Sequence, residues 1–134
     1  MMTQVSVRTT QPSEFVDITD IINSIVKKSE IKKGVVTIFI PHTTAGITIN
    51  EHADPSVASD MLRTLDQIVP WKNNYSHAEG NSAAHIKASL MGSSVRVIVE
   101  NGSLVLGTWQ GIFFCEFDGP RSRKALVKVM SSDL

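Results

Sequence analysis

With 134 residues, 42% of them hydrophobic, the chain has enough material for one domain with a real core and too little for two, so residues 1–134 are read as a single domain. Lys plus Arg and Asp plus Glu balance at 13 each, which leaves no whole-molecule field to attract a nucleic-acid backbone or an anionic membrane, and neither is expected as a partner. Cys115 is the only cysteine, the N-terminal MMTQVSVRTT has no apolar signal core, and no run approaches the roughly 20 apolar residues of a membrane span, so a cytoplasmic protein without an internal disulfide is expected.

Val5 and Val7 alternate with polar neighbours, QPS makes a turn, and Phe15 to Ile18 returns as a second strand, which predicts an opening hairpin. Ile18, Ile21, Ile22 and Ile25 then recur at helical spacing, with Asp17 or Thr19 as N-cap and Gly34 as the stop. VVTIFI reads as a strand covered on both faces, followed by GITIN after a kink at Pro41 to Ala45. Asp54-Pro55 opens a second helix, because the carboxylate caps free N–H groups and proline is preset for the first helical position; Val57, Met61, Leu65 and Ile68 form its buried stripe. WKNNYSHAEGN is a loop, and SAAHIKASLMG is a short helix closed by Gly92. From Val95 onward the chain is strand: VRVIV, an Asn101-Gly102 turn, LVL, the long TWQGIFFCEF, a turn at Gly119-Pro120, and KALVKVM. The expected class is α+β, two sheets with helices on one side.

Strand alternation puts Gln110, Ile112, Phe114 and Glu116 on one face and Trp109, Phe113, Cys115 and Phe117 on the other. A central strand would bury Glu116, and a buried carboxylate must be protonated, paired or bound to a cation; the alternative is a strand end emerging into water near Gly119. His42 stands at the end of its strand on the face of Ile38 and Ile40, where a rigid scaffold aims a side chain beside open space. His42, His77 and His85 lie in strand-end, loop and helix contexts that only the fold can bring together, while His52 faces solvent in the turn before the helix. Their spacing matches neither a helical HExxH nor a zinc finger. His85 is expected at the edge of a buried stripe made by Ile86 and Leu90. Asp54 is a helix cap or a site carboxylate, Glu51 and Asp60 are solvated or near it, and the EGNS loop with Lys87, Arg121 and Arg123 suits an anion, the two arginines pointing the same way if on a strand.

The blocks PHTTAGITINEHADPSVASDM, YSHAEGNSAAHIKASLMGSS and GSLVLGTWQGIFFCEFDGPRSRK, in that order, resemble the YjbQ-like family over nearly the whole chain. The resemblance implies two strands, a helix, two strands, two helices and a final set of strands, as a β-sandwich with helices that assembles into a homotrimer. It also implies thiamine-phosphate synthase activity, secondary in some members: joining a pyrimidine diphosphate and a thiazole phosphate with release of pyrophosphate. By that resemblance the recurrent polar positions are His42, Asn50, Glu51, Asp54, His77, Glu79, Asn81, His85, Lys87, Gln110, Glu116 and Arg121 or Arg123. The expected roles are His42, His85, Glu116 and Asp54 in catalysis; Asn50, Glu51, Asn81, Lys87, Gln110, Arg121 and Arg123 on substrate and phosphate; and His42, His77 and His85 on a divalent metal, Zn or Mg. Two other readings stand beside it: a histidine-centred metal-binding hydrolase, and a non-enzymatic trimer that binds a small phosphorylated ligand.

Overall fold

Residues 1–132 are described by a computed structural model. The elements run β1 (Met2–Arg8), β2 (Glu14–Asp17), α1 (Thr19–Ser29), β3 (Gly34–Phe39), β4 (Ala45–Glu51), α2 (Pro55–Ile68), α3 (Ser82–Met91), β5 (Ser94–Glu100), β6 (Ser103–Leu104), β7 (Gln110–Glu116) and β8 (Ser122–Ser131). This is the expected α+β order. The strands form two antiparallel sheets, one of five in the order β1-β8-β3-β5-β6 and one of three in the order β2-β7-β4.

The two sheets face each other across the main core. Val36 and Ile38 of β3, Val97 and Val99 of β5 and Ala125 and Val127 of β8 meet Ile47 of β4 and Ile112 and Phe114 of β7, and α1 adds Ile22 and Val26. On its other side the small sheet carries Phe113, Cys115 and Phe117, covered by Leu65 of α2 and by Ala84 and Ala88 of α3. β7 is therefore buried on both faces by the alternation its sequence shows, each of its large apolar side chains contributing about 1.5–3 kcal/mol of burial. Cys115 is fully buried, and burial pushes its thiol well above the ordinary range. Among the described residues no helix is long and apolar enough to cross a membrane.

Local signals placed several elements correctly. Asp54 accepts from the Ser56 N–H with Pro55 in the first turn of α2, and Asn101 and Gly102 take φ of 52° and 74° in a two-residue turn between paired Glu100 and Ser103.

Others require correction. The opening hairpin does not form: β1 pairs with β8 and β2 with β7, so the QPS turn carries the chain from one sheet to the other. α1 stops at Ser29 on left-handed Glu30, and Gly34 instead opens β3, where an added Cβ would lie 1.9 Å from the Met130 carbonyl oxygen. Neither Asp17 nor Thr19 is the N-cap residue, which is Ile18, although the Asp17 carboxylate does accept the Thr19 N–H. β3 is not covered on both faces, since Phe39 is exposed and only Gly34, Val36 and Ile38 are buried. Of the stripe expected on α2 only Leu65 is buried, and Ile68 is 65% exposed. α3 buries Ala83, Ala84, Lys87 and Ala88 and exposes Ile86 and Leu90; it runs close to β4, where a Cβ on Gly46 would meet the Gly92 carbonyl oxygen at 2.7 Å.

Candidate functional site

The β4–β7 ladder sets the coordinates of the site. Ala45 pairs with Glu116 at one end and Glu51 with Gln110 at the other, six residues or about 20 Å away along an antiparallel strand. The candidates divide between these two ends.

At the Ala45 end, His42 follows the close of β3 and lines a cleft of ≈ 460 Å³ with His85, Ala88 and Ser89 of α3 and with Gly92 and Ser93. His85 also lines an adjoining cleft of ≈ 480 Å³ with Tyr75, Ser76, His77, Ser82 and Ile86. The rings of His77 and His85 meet edge to face, centroids 5.5 Å apart. His42 Nε2 accepts the backbone N–H of Lys124 at 3.0 Å. Burial, reinforced by the charge of Arg123, holds the His42 pKa below the ordinary imidazole value. His85 is thus the shared wall between two clefts, and the three histidines form one continuous surface. Their convergence in one pocket is only pairwise, His42 with His85 and His85 with His77.

Behind this surface lies a buried ionic cluster. Glu116, 0% exposed, accepts from Arg123 Nε and Nη2, Thr9 Oγ1 and the N–H groups of Phe117 and Asp118. Arg123, 8% exposed, also donates to Thr44 Oγ1 at 2.8 Å. Burial by itself would raise the Glu116 pKa, but the hydrogen bonds from Arg123, Thr9 and the Asp118 N–H outweigh it and hold the carboxyl below its usual range. Of the fates left open for this residue, the structure shows the buried and paired one.

The remaining cations are also engaged. Arg121 lies just outside β8 and donates to the carbonyl and carboxylate of Asp118, so it does not share a face with Arg123. Lys87, 2% exposed, is paired with Asp66 of α2. Asn81 precedes α3 but makes no cap: its Nδ2 donates to Asp118 at 2.9 Å, and its Oδ1 is buried without a partner. Glu79 is exposed on the loop.

At the opposite end the polar residues build a turn. Asn50 Oδ1 accepts the Glu51 N–H, Glu51 Oε2 accepts the N–H groups of Ala53 and Asp54, and Asp54 Oδ1 accepts from Ser56. Hydrogen bonds from Ser56 hold the Asp54 carboxyl below its usual range. Gln110 is exposed and accepts from the Gly107 N–H. His52 is not merely solvated: Nδ1 lies 2.9 Å from Asp17 Oδ2, over Gly111, where a Cβ would fall 2.4 Å from that nitrogen.

Thr9, Thr44 and the Lys124 amide escaped sequence reasoning. Threonines inside strand-rich runs and backbone groups carry no local signal of their partner. Among the described residues no group of three or more His, Cys, Asp or Glu side chains is placed to hold a metal ion.

The comparisons with known proteins cover the full architecture. The family described as UPF0047 protein YjbQ-like matches residues 3–132. The UPF0047 protein YugU of Bacillus subtilis is 52% identical over 97% of this chain and 99% of its own, and the UPF0047 protein MJ1081 of Methanocaldococcus jannaschii is 51% identical over 97% and 94%. A crystal structure of an uncharacterized YjbQ/UPF0047 protein from Clostridium acetobutylicum superposes with a TM-score of 0.94 at 55% identity, covering 96% of this chain and 99% of that one. A YbjQ-like protein of unknown function from Sulfolobus solfataricus gives a TM-score of 0.94 at 37% identity over 98% and 97%.

Proposed function

This chain belongs to the UPF0047 family of YjbQ-like proteins, and from that premise we propose that it is a small enzyme acting on phosphorylated heterocycles. Its reaction in this reading is thiamine-phosphate synthesis from a pyrimidine diphosphate and a thiazole phosphate. The observation that supports it is the cleft shared by His42 and His85 with His77 against its wall. The thiazole nitrogen donates its electron pair to the pyrimidine methylene carbon, and the C–O bond to the diphosphate breaks with its electrons on the departing pyrophosphate. No proton has to move for these two bonds to exchange. The protein's task is to orient both rings and to place donors on the leaving oxygens, work that imidazole N–H groups can do from the cleft wall.

Several candidate roles are reassigned on physical grounds. Glu116 is an ionised carboxylate saturated with donors and supports Arg123 instead of carrying protons. Asp54 and Glu51 hold the turn into α2. Lys87, Arg121 and Arg123 face their own carboxylates. A homotrimer belongs to the same proposal. Apolar side chains stand exposed on the helical layer (Ile68, Ile86, Leu90) and on the five-stranded sheet (Phe39, Ile98, Met130), and a closed ring of copies would cover both.

The test is incubation of the untagged protein with the two phosphorylated substrates, with and without Mg²⁺, reading thiamine phosphate by its fluorescent oxidation product and pyrophosphate in parallel. Equimolar products, reduced about tenfold or more in His85→Ala at unchanged melting temperature, support the reading. No product above the enzyme-free control refutes it. A second reading, a non-enzymatic trimer binding a small phosphorylated ligand, is favoured by the engagement of Lys87, Arg121 and Arg123 with carboxylates, which leaves none of these three cations free for the charge of a departing pyrophosphate.

A further inference from the structure

We infer that His42 meets its ligand as a neutral hydrogen-bond donor through Nδ1–H, its tautomer fixed by the backbone amide of Lys124, so that the ligand atom it contacts is a phosphoryl oxygen and not a metal ion. The inference rests on reading the histidine cleft as the ligand site but not on the reaction proposed for it.

The β3–β8 ladder stops at the pair Phe39 and Leu126, two positions short of Lys124. Beyond Phe39 the chain leaves the sheet through Ile40 and Pro41, so no further β3 carbonyl is available to Lys124. The His42 ring takes that carbonyl's place, with Nε2 accepting the Lys124 N–H at 3.0 Å. An amide N–H only donates, so Nε2 must present its lone pair, and a neutral imidazole then carries its one proton on Nδ1. While Nε2 accepts the amide it has no room for a second proton, and the Arg123 guanidinium is itself fixed by Glu116 and Thr44. The one polar atom His42 has left for the cleft is therefore a donor.

A donor matches a phosphoryl oxygen, which has lone pairs to accept it. It does not match a metal ion. Coordination at Nδ1 while Nε2 still accepts the amide would require imidazolate, and coordination at Nε2 would displace the amide and leave its N–H unpaired. The absence of any converging set of three His, Cys, Asp or Glu side chains among the described residues points the same way. Among the described residues no backbone amide holds a ring nitrogen of His85 or His77 in this way; their rings meet each other edge to face.

The experiment uses the full chain with ¹⁵N-labelled histidine, long-range ¹H–¹⁵N correlations at neutral pH, and His42→Gln to assign the ring. Protonated Nδ1 and unprotonated Nε2 are expected, unchanged when Zn²⁺ is added. Inorganic pyrophosphate, the probe for the ligand, should move the Nδ1 resonance. Calorimetry should find pyrophosphate affinity reduced about tenfold in His42→Ala, the scale of one charge-assisted hydrogen bond, and largely restored in His42→Gln, which can both accept and donate. An Nε2–H tautomer overturns the inference, as does Zn²⁺ binding to either His42 nitrogen, or pyrophosphate that binds without moving Nδ1. If pyrophosphate does not bind at all while the tautomer is as stated, the reading of the cleft falls, and with it the assignment of the ligand oxygen, while the lock by Lys124 stands.

Discussion

Replacing Glu116 by Gln changes almost no volume yet removes the charge that balances a buried guanidinium. Five hydrogen bonds end on this carboxylate, from Thr9 Oγ1, Arg123 Nε and Nη2, and the N–H groups of Phe117 and Asp118. Both ends of the pair are shielded, Glu116 at 0% and Arg123 at 8% exposure, so water cannot replace what is lost. Glu116→Gln should therefore cost about 3–5 kcal/mol, the range for stranding one partner of a buried ion pair. That is a large part of the 5–15 kcal/mol typical of a whole domain. Urea unfolding at fixed protein concentration reads it as a lower midpoint at unchanged slope. Arg123→Met should be similarly damaging, and the double variant Glu116→Met with Arg123→Met should lose less than the sum of the singles. The pH dependence has a definite sign. Because hydrogen bonding outweighs burial and the folded carboxyl titrates below its unfolded value, its stabilisation is present above the unfolded pKa and is lost as pH falls through the folded one. Glu116→Gln should flatten that acid limb. A loss below about 1 kcal/mol in Glu116→Gln, with the acid limb intact, would show that the pair is neither dry nor coupled, and the argument would fail.

Asp54→Ala should lower stability by about 1 kcal/mol through the lost cap of α2, visible as a lower melting temperature, while turnover per folded molecule is unchanged. Lys87→Met should be neutral or stabilising in urea, because it removes a buried ammonium while its partner Asp66 is left in water; a marked loss of pyrophosphate affinity would instead return Lys87 to the site. Gly34→Ala should abolish soluble expression or cost several kcal/mol, since its Cβ would press on the Met130 backbone in the middle of the sheet; a folded variant of ordinary stability would contradict the β3–β8 register. Asp17→Asn should weaken the hold of His52 and lower stability above, but not below, the acid range in which Asp17 titrates. Burial raises that carboxyl, but the Thr19 and His52 hydrogen bonds bring it below its usual value.

The sequence by itself determined what neighbours along the chain decide. Alternation in QGIFFCEF assigned each β7 side chain to its core, Asp54-Pro55 started α2, Asn101-Gly102 turned β5 into β6, and the order of the motif blocks identified the family and its α+β fold. Periodicity misled where cover depends on another element: the apolar stripe of α2 is real, but among the described residues only Leu65 of it is buried, and α3 leaves Ile86 and Leu90 exposed. The polar chemistry belonged to tertiary structure alone. Thr9 reaches Glu116 across 107 positions, His42 reaches the Lys124 amide across 82, and Lys87 finds Asp66 across 21. A carboxylate or imidazole looks the same in the sequence whether it will cap a turn, balance an arginine or face a ligand. Which of these it does depends on the burial and partner charge supplied when the two sheets close, and the chain carries no local record of either.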